Sequence, residues 1–243
     1  MKFSEHPAGS RIKAMIVGDS GAGKTTALAS LANAGYKLRI LDFDSGLDIL
    51  RHYVNDPDSM DYHTFDVHDP MAPDKAAAMA MNWEGLGPIA ETGPNDVLVL
   101  DTATTFGQCL ETLEAKKNKD GRKSSWEAQK KANHLLQFLT GPSVPCNVIV
   151  NTHYRLVENE LTGQMKAYPE VVGRKLALTV GRLFNNIWRL VTKRVDKEEV
   201  RVLLTQSDSY MTLKCSAPTV IEAEEPLDLA DIFNRMKEGN STS

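Results

Sequence analysis

The stretch MIVGDSGAGKTT, residues 15–26, decides the fold. Arg11 to Gly18 is a short apolar run that ends in glycine, which reads as a buried strand. Gly23 to Asn33 follows with helical spacing and sets Ala27, Leu28 and Leu31 on one face. Between them Gly18 to Thr25 matches G-x-x-x-x-G-K-[ST], a phosphate-binding loop in the strand-to-helix setting that its mechanism requires. Glycines let the backbone turn its N–H groups inward, and the helix N-terminus adds partial positive charge. The pattern assigns nucleotide contacts to Asp19, Ser20, Gly21, Ala22, Gly23, Lys24, Thr25 and Thr26. Lys24 is expected to reach the β- and γ-phosphates of ATP, and the Thr25 hydroxyl to hold Mg²⁺.

Hydrolysis needs a carboxylate at a neighbouring strand tip. Asp101 ends the apolar run DVLVLD and is expected to join Thr25 in the magnesium shell. A second tip, LDFDSGLD, offers Asp42 and Asp44; one of the two can position water, or both can serve an Asx turn.

Further strands are expected at Lys37–Phe43, Tyr62–Val67, Asp96–Leu100 and Cys146–Val150, with helices at Thr104–Ala115 and Ser125–Leu139. Asp74–Glu91 begins as a helix and loosens at its Gly-Pro pairs. Past Asn151 the pattern turns to strands at Asn186–Arg194, Val200–Gln206 and Tyr210–Lys214, then a closing helix at Asp228–Glu238. The expectation is one α/β domain over residues 1–243, a mostly parallel sheet flanked by helices with a C-terminal antiparallel extension. Residues 1–10 and 239–243 are expected to be flexible.

Composition narrows the classes. With 42% hydrophobic and 25% charged residues the chain reads as globular, and it has no apolar run of membrane length. Three widely spaced cysteines fit neither a disulfide framework nor a zinc site, so a reducing cytoplasm is expected and no membrane partner. One segment departs from the acidic total of −4. Ala115 to Lys131 holds seven basic residues against two acidic ones, a local +5 that leaves −9 elsewhere.

Small G-proteins are disfavoured, since their N-K-x-D motif has only the decoy Asn118-Lys119-Asp120-Gly121. Strands in the C-terminal part argue against the helical lid of AAA+ ATPases. The residues resemble the RecA-like recombinase core instead. GDSGAGKTT resembles its phosphate loop, LDFDSGLD the segment after its second strand, and LVLDTATTF its Walker B strand. VIVNTH is similar to its sensor strand, and KCSAP to a strand whose lysine reaches a neighbouring subunit's nucleotide. Within that family the chain most resembles the RecA-like single-strand annealing ATPases encoded by bacteriophages.

The resemblance implies an ATP-dependent recombination protein that binds single-stranded DNA as a homo-oligomeric ring or filament, with a single-strand-binding protein as a possible partner. It places Asp44 at the catalytic glutamate position, His153 at the sensor and Lys214 as a finger acting across subunits. It also implies two DNA-gripping loops. The first, Ala115–Trp126, contributes Lys116, Lys117, Lys119, Arg122, Lys123 and Trp126; the second, Tyr154–Lys175, contributes Arg155, Lys166, Arg174 and Lys175. Within the second, ENELTGQM is expected to form a hairpin turning at Thr162-Gly163. Two other readings stand beside this one: a ring motor or helicase loader, and a nucleotide-switched recruitment module with slow hydrolysis.

Overall fold

The computed structural model describes residues 11–158 and 163–241. The strand β1 (Lys13–Val17) lies inside an eight-stranded sheet with β2 (Lys37–Asp42) and β3 (Met60–Thr64). After the helix α2 (Ala72–Met81) come two-residue strands β4 (Asn82–Trp83) and β5 (Gly87–Pro88), paired as a small separate hairpin. The main sheet continues with β6 (Asp96–Asp101) and β7 (Asn147–Thr152), then β10 (Asn186–Val195), β11 (Glu198–Leu204) and β12 (Glu224–Pro226). Its order is β12-β11-β10-β1-β7-β6-β2-β3. The six strands from β10 to β3 run parallel, while β11 pairs antiparallel with both β10 and β12. Strands β8 (Tyr154–Glu158) and β9 (Met165–Pro169) form a hairpin outside this sheet.

The apolar runs are continuous because both sheet faces are covered. Alternate residues of each strand go to opposite cores. Met15, Val17, Leu98, Leu100, Val148 and Val150 pack with α2, α3 (Ala103–Lys117) and α4 (Gly121–Thr140). Ala14, Ile16, Val97, Val99 and Ile149 pack on the other face with α1 (Lys24–Asn33) and α6 (Leu229–Ser241). The short helix α5 (Arg174–Thr179) joins the first core through Leu176 and Ala177.

Local departures have local causes. The third strand begins at Met60, earlier than its weak apolar pattern suggests, because it is an edge strand with four exposed residues. Tyr210–Lys214 is no strand. Asp208 Oδ1 accepts from the amides of Tyr210 and Met211, closing a turn that leaves isolated bridges at Met211 and Lys214. The edge position falls to Glu224–Pro226, a sequence without strand character. Helix α6 continues through Ser241, past the glycine where fraying was expected. Residues 1–10 and 242–243 of the expected flexible ends lie outside the described residues. Among the described residues no helix is long and apolar enough to cross a membrane.

Register carries β10 past its neighbour. Val17 at the end of β1 pairs with Arg189, so Leu190 to Val195 run on beyond the carboxyl edge, by roughly 20 Å at strand rise. The turn at Asp196-Lys197 has positive φ at both residues (50° and 75°), as a two-residue hairpin of this twist demands. The β10–β11 hairpin therefore overhangs the phosphate loop.

Candidate nucleotide site

The loop Gly18–Gly23 leaves β1 at the carboxyl edge of the sheet. The Gly18 amide donates to Thr152 O of β7 (3.1 Å), which pins the loop's start. A side chain there would press on Leu190 O, 3.0 Å from the Cβ position. Gly23 has φ 106° and caps α1 without any side-chain hydrogen bond, so the helix N-terminus is left open to an anion. Lys24 folds back over the loop. Its ammonium donates to Gly18 O (3.0 Å) and Asp19 O (2.9 Å), and it is 6% exposed. Burial lowers its pKa, while Asp101, Asp44 and Asp19 oppose the shift.

Asp101 stands at the tip of β6 and is joined to Thr102 by a cis peptide bond. Its Oδ2 accepts from the Thr25 hydroxyl (2.7 Å) and its Oδ1 from Asn151 Nδ2 (3.2 Å). Asn151 can do this because β7 is inserted between the phosphate-loop strand and β6. Only 1% of Asp101 is exposed, and burial pushes its pKa up to about 6 against those two hydrogen bonds; Asp44 and Asp42 push the same way. Asn151 Oδ1 is buried with no hydrogen-bond partner.

The two aspartates of LDFDSGLD separate clearly. Asp42 turns inward, where Oδ1 accepts from the amides of Asp44 and Ser45 (3.1 and 3.0 Å) and Oδ2 from the Thr64 hydroxyl (2.8 Å). That is the Asx-turn role. Asp44 faces the site; its Oδ1 accepts from Thr105 Oγ1 and from Thr102 Oγ1 (3.2 Å). His153 follows β7, its amide held by Thr104 Oγ1 (2.9 Å). Burial, then the Lys24 charge, lowers its pKa.

These groups surround an open cavity of about 650 Å³. Its floor is Ser20, Gly21 and Gly23 to Thr26, and Asp44, Asp101 and His153 stand on its walls. Three linings were not foreseen: Thr102 and Thr105, Arg201 of β11, and Ile49 with Tyr53. The threonines had a signal, since a Thr directly after a strand-end Asp is a helix cap, and Thr102 does cap α3. Tyr53, half exposed, adds an aromatic side chain to the cavity's lining.

The other candidates lie elsewhere. Lys214 donates to Gly181 O (3.1 Å) and Phe184 O (2.5 Å) of its own chain, away from this cavity. The first basic loop is a tight corner between helices. Helix α3 continues to Lys117 and α4 starts at Gly121, because Asp120 caps it by accepting from the Arg122 amide (2.9 Å). Lys116 and Lys117 thus close α3, Arg122 and Lys123 open α4, and Lys119 sits between. Lys117 and Lys131 pair with the buried Glu114 at 3.6 and 3.0 Å. Lys116, Lys119, Arg122 and Lys123 are exposed. Trp126 is 58% exposed with the Lys130 ammonium 5.1 Å from its ring centroid.

In the second segment, β8 and β9 form the expected hairpin, with Glu158 opposite Met165. Residues 159–162, including Thr162 of its turn, lie outside the described residues. Arg155 donates to Val171 O (3.2 Å) and sits 3.9 Å from Glu170. Lys166 is half-buried, while Arg174 and Lys175 are exposed at the start of α5. The Tyr154 hydroxyl donates to Asp19 Oδ2 (3.0 Å), which ties this hairpin to the phosphate loop.

A parallel sheet with an uncapped helix after a glycine loop, and a buried aspartate bonded to the loop's threonine, defines a P-loop nucleoside-triphosphatase. Residues 10–214 match the AAA domain family, and the chain belongs to it; its class is ATPase. No curated protein sequence matches the chain. Solved structures similar in fold include the following three. A KaiC-like protein of Pyrococcus horikoshii OT3 is 15% identical, over 82% of this chain and 78% of its own, at a TM-score of 0.41. The RadB recombinase is 16% identical over 79% of each chain at 0.47. The flagellar accessory protein FlaH of Methanocaldococcus jannaschii is 10% identical over 88% and 83% at 0.49.

Proposed function

We propose that this ATPase turns over Mg²⁺-ATP at the cavity and couples turnover to single-stranded DNA held at the α3–α4 corner, acting as a homo-oligomer in strand annealing. The observation that carries the nucleotide half is the Thr25–Asp101–Asn151 chain of hydrogen bonds beside Lys24. It fits a magnesium ion. A hydroxyl and a carboxylate already meet, and Asn151 Oδ1 is a spare buried acceptor for a water of the metal shell. Thr25 and Asp101 would hold the ion, whose chemistry is to neutralise charge on the phosphates. Lys24 leaves its two carbonyls for phosphate oxygens. Asp44 accepts a proton from the attacking water, and His153 faces the phosphate end. Lys214 acts across an interface only after release from Gly181 O and Phe184 O.

The DNA half rests on four exposed cations and an exposed tryptophan on one corner of an acidic chain. Cations release counterions from phosphates, and the indole stacks on a base. The test is ATP hydrolysis with and without single-stranded DNA at two salt concentrations, in the wild type and in Lys116→Ala, Lys119→Ala, Arg122→Ala, Lys123→Ala combined. Stimulation that fades with salt and vanishes in the variant is expected. Turnover indifferent to DNA in both proteins would leave the corner a solvated surface.

The nucleotide-switched module is a second reading, favoured by Asp44. Its inner oxygen is taken by two threonine hydroxyls, which weakens it as a base, and Tyr154 links the loop to a surface hairpin. That reading expects tight ATP binding and slow turnover.

A further inference from the structure

Arg201 was invisible as a functional residue in the sequence, yet it lines the phosphate cavity. A Cβ on Gly23 would lie 3.1 Å from its Cδ and 3.1 Å from its Nη1, so the side chain rests on the open N-terminus of α1. Its placement follows from register. Leu203, two residues on, points to the same face of β11 and is buried in the core that contains α1. Arg201 shares that face, but sits opposite Thr192, beyond the end of β1. The overhanging hairpin therefore carries it over the helix end, where Leu203 packs within the core.

The guanidinium also lacks an internal use. Among the described residues it has no hydrogen bond or ion pair, unlike Arg189 (to Asp208), Arg235 (to Glu225) and Arg155 (to Val171 O). An arginine held against a phosphate loop by strand pairing, with its donors free, is preorganised for an anion.

We propose that Arg201 is a nucleotide-binding residue acting in cis, whose guanidinium hydrogen-bonds the polyphosphate of ATP bound in its own chain. The inference rests on the cavity being the ATP site. It gives this ATPase a second cation that needs no neighbouring subunit, in a chain whose Lys214 is tied to its own carbonyls.

The test is equilibrium binding of ATP, and separately of inorganic tripolyphosphate, to wild type, Arg201→Gln and Arg201→Lys, each checked for an unchanged thermal midpoint. Loss of one charge-assisted bidentate contact predicts a tenfold to hundredfold weaker affinity, on the order of what such bonds contribute, equal for both ligands. Arg201→Lys should recover part of it. Equal affinities in wild type and Arg201→Gln would overturn the inference while leaving the ATP site standing. Weakened ATP with unchanged tripolyphosphate would also overturn it, by moving the contact to the base. A wild type that binds neither ligand would overturn the reading of the cavity and this inference together. Mixing Arg201→Gln with Lys24→Ala chains must restore no hydrolysis; restoration would place Arg201 across an interface.

Discussion

Two lysines bracket the phosphate-loop strand, and on most measures they are twins. Lys13 opens β1 at the amino edge of the sheet, and Lys24 opens α1 at the carboxyl edge. Each is 6% exposed. Each donates to two backbone carbonyls, Lys13 to Val144 O and Cys146 O (both 2.8 Å), Lys24 to Gly18 O and Asp19 O. Burial lowers the pKa of both. What separates them is what lies on the far side of the ammonium. Lys13 has two backbone carbonyls as its hydrogen-bond partners, with Cys146 and Arg11 as its charge neighbours. Lys24 opens on a cavity with Asp101, Asp44 and Asp19 about it. Burial and a shifted pKa therefore do not set apart the lysine proposed to meet phosphate; a cavity lined with opposite charge does.

Exchanging each lysine should break the likeness most sharply. Lys24→Ala is expected to cut ATP turnover by roughly 10³-fold, the scale for one preorganised charge facing the phosphates. Lys13→Met should leave turnover within about twofold of wild type per folded molecule, since no atom of it reaches the cavity. A steady-state hydrolysis assay on both settles the matter, and equal losses would deny the distinction.

The same contrast recurs between Asp42 and Asp44, with a smaller expected effect. Asp44→Asn keeps the two threonine contacts possible but removes a base, so turnover should drop by roughly 10²-fold with little change in melting temperature. Asp42→Ala strands two amides and a hydroxyl and should cost about 1–3 kcal/mol of stability. Urea unfolding beside the hydrolysis assay reads both; a stable, inactive Asp42→Ala would reverse the roles.

That pair shows where sequence stops being informative. The loop Gly18–Thr25 and the central strands were legible, because glycine spacing and two-sided burial each leave a direct mark on residue type. Asp42 and Asp44 carry the same chemistry two positions apart. Which one faces the cavity is set by a turn with Ser45 at φ 53°, and no composition encodes that. The basic run was legible as charge but not as shape. Its corner depends on Asp120 acting as a cap, although Asp-Gly-Arg-Lys is an ordinary helix start. Edge strands β3 and β12 left weak marks because solvent covers one side. Arg201 left none: strand register brings it to Gly23 from far along the chain.

The last prediction isolates Lys13 itself. Its pKa falls to about 8 in the fold from an ordinary value near 10.4 in the unfolded chain. The folded state thus prefers the neutral amine. Stability from this group is complete above about pH 10.4, is lost as pH falls through about 8, and stays lost below. Between pH 7 and pH 10 the unfolded chain binds more protons, so wild-type stability should rise with pH relative to Lys13→Met, by up to about 3 kcal/mol. The quantity to measure is the difference between the two proteins' urea-derived stabilities at pH 7, 8.5 and 10. Both proteins carry Cys146→Ala, because that thiol is a charge neighbour of Lys13; tyrosine and the other cysteine ionisations occur in both and largely cancel in the difference. The absolute offset also includes two lost bonds to Val144 O and Cys146 O, so only the slope is diagnostic. Parallel curves would mean that Lys13 titrates alike in the folded and unfolded chains, its charge accommodated by those carbonyls. The likeness to Lys24 would then end at geometry, and the lowered pKa of Lys24 would have to come from the particular solvent exclusion of the phosphate loop.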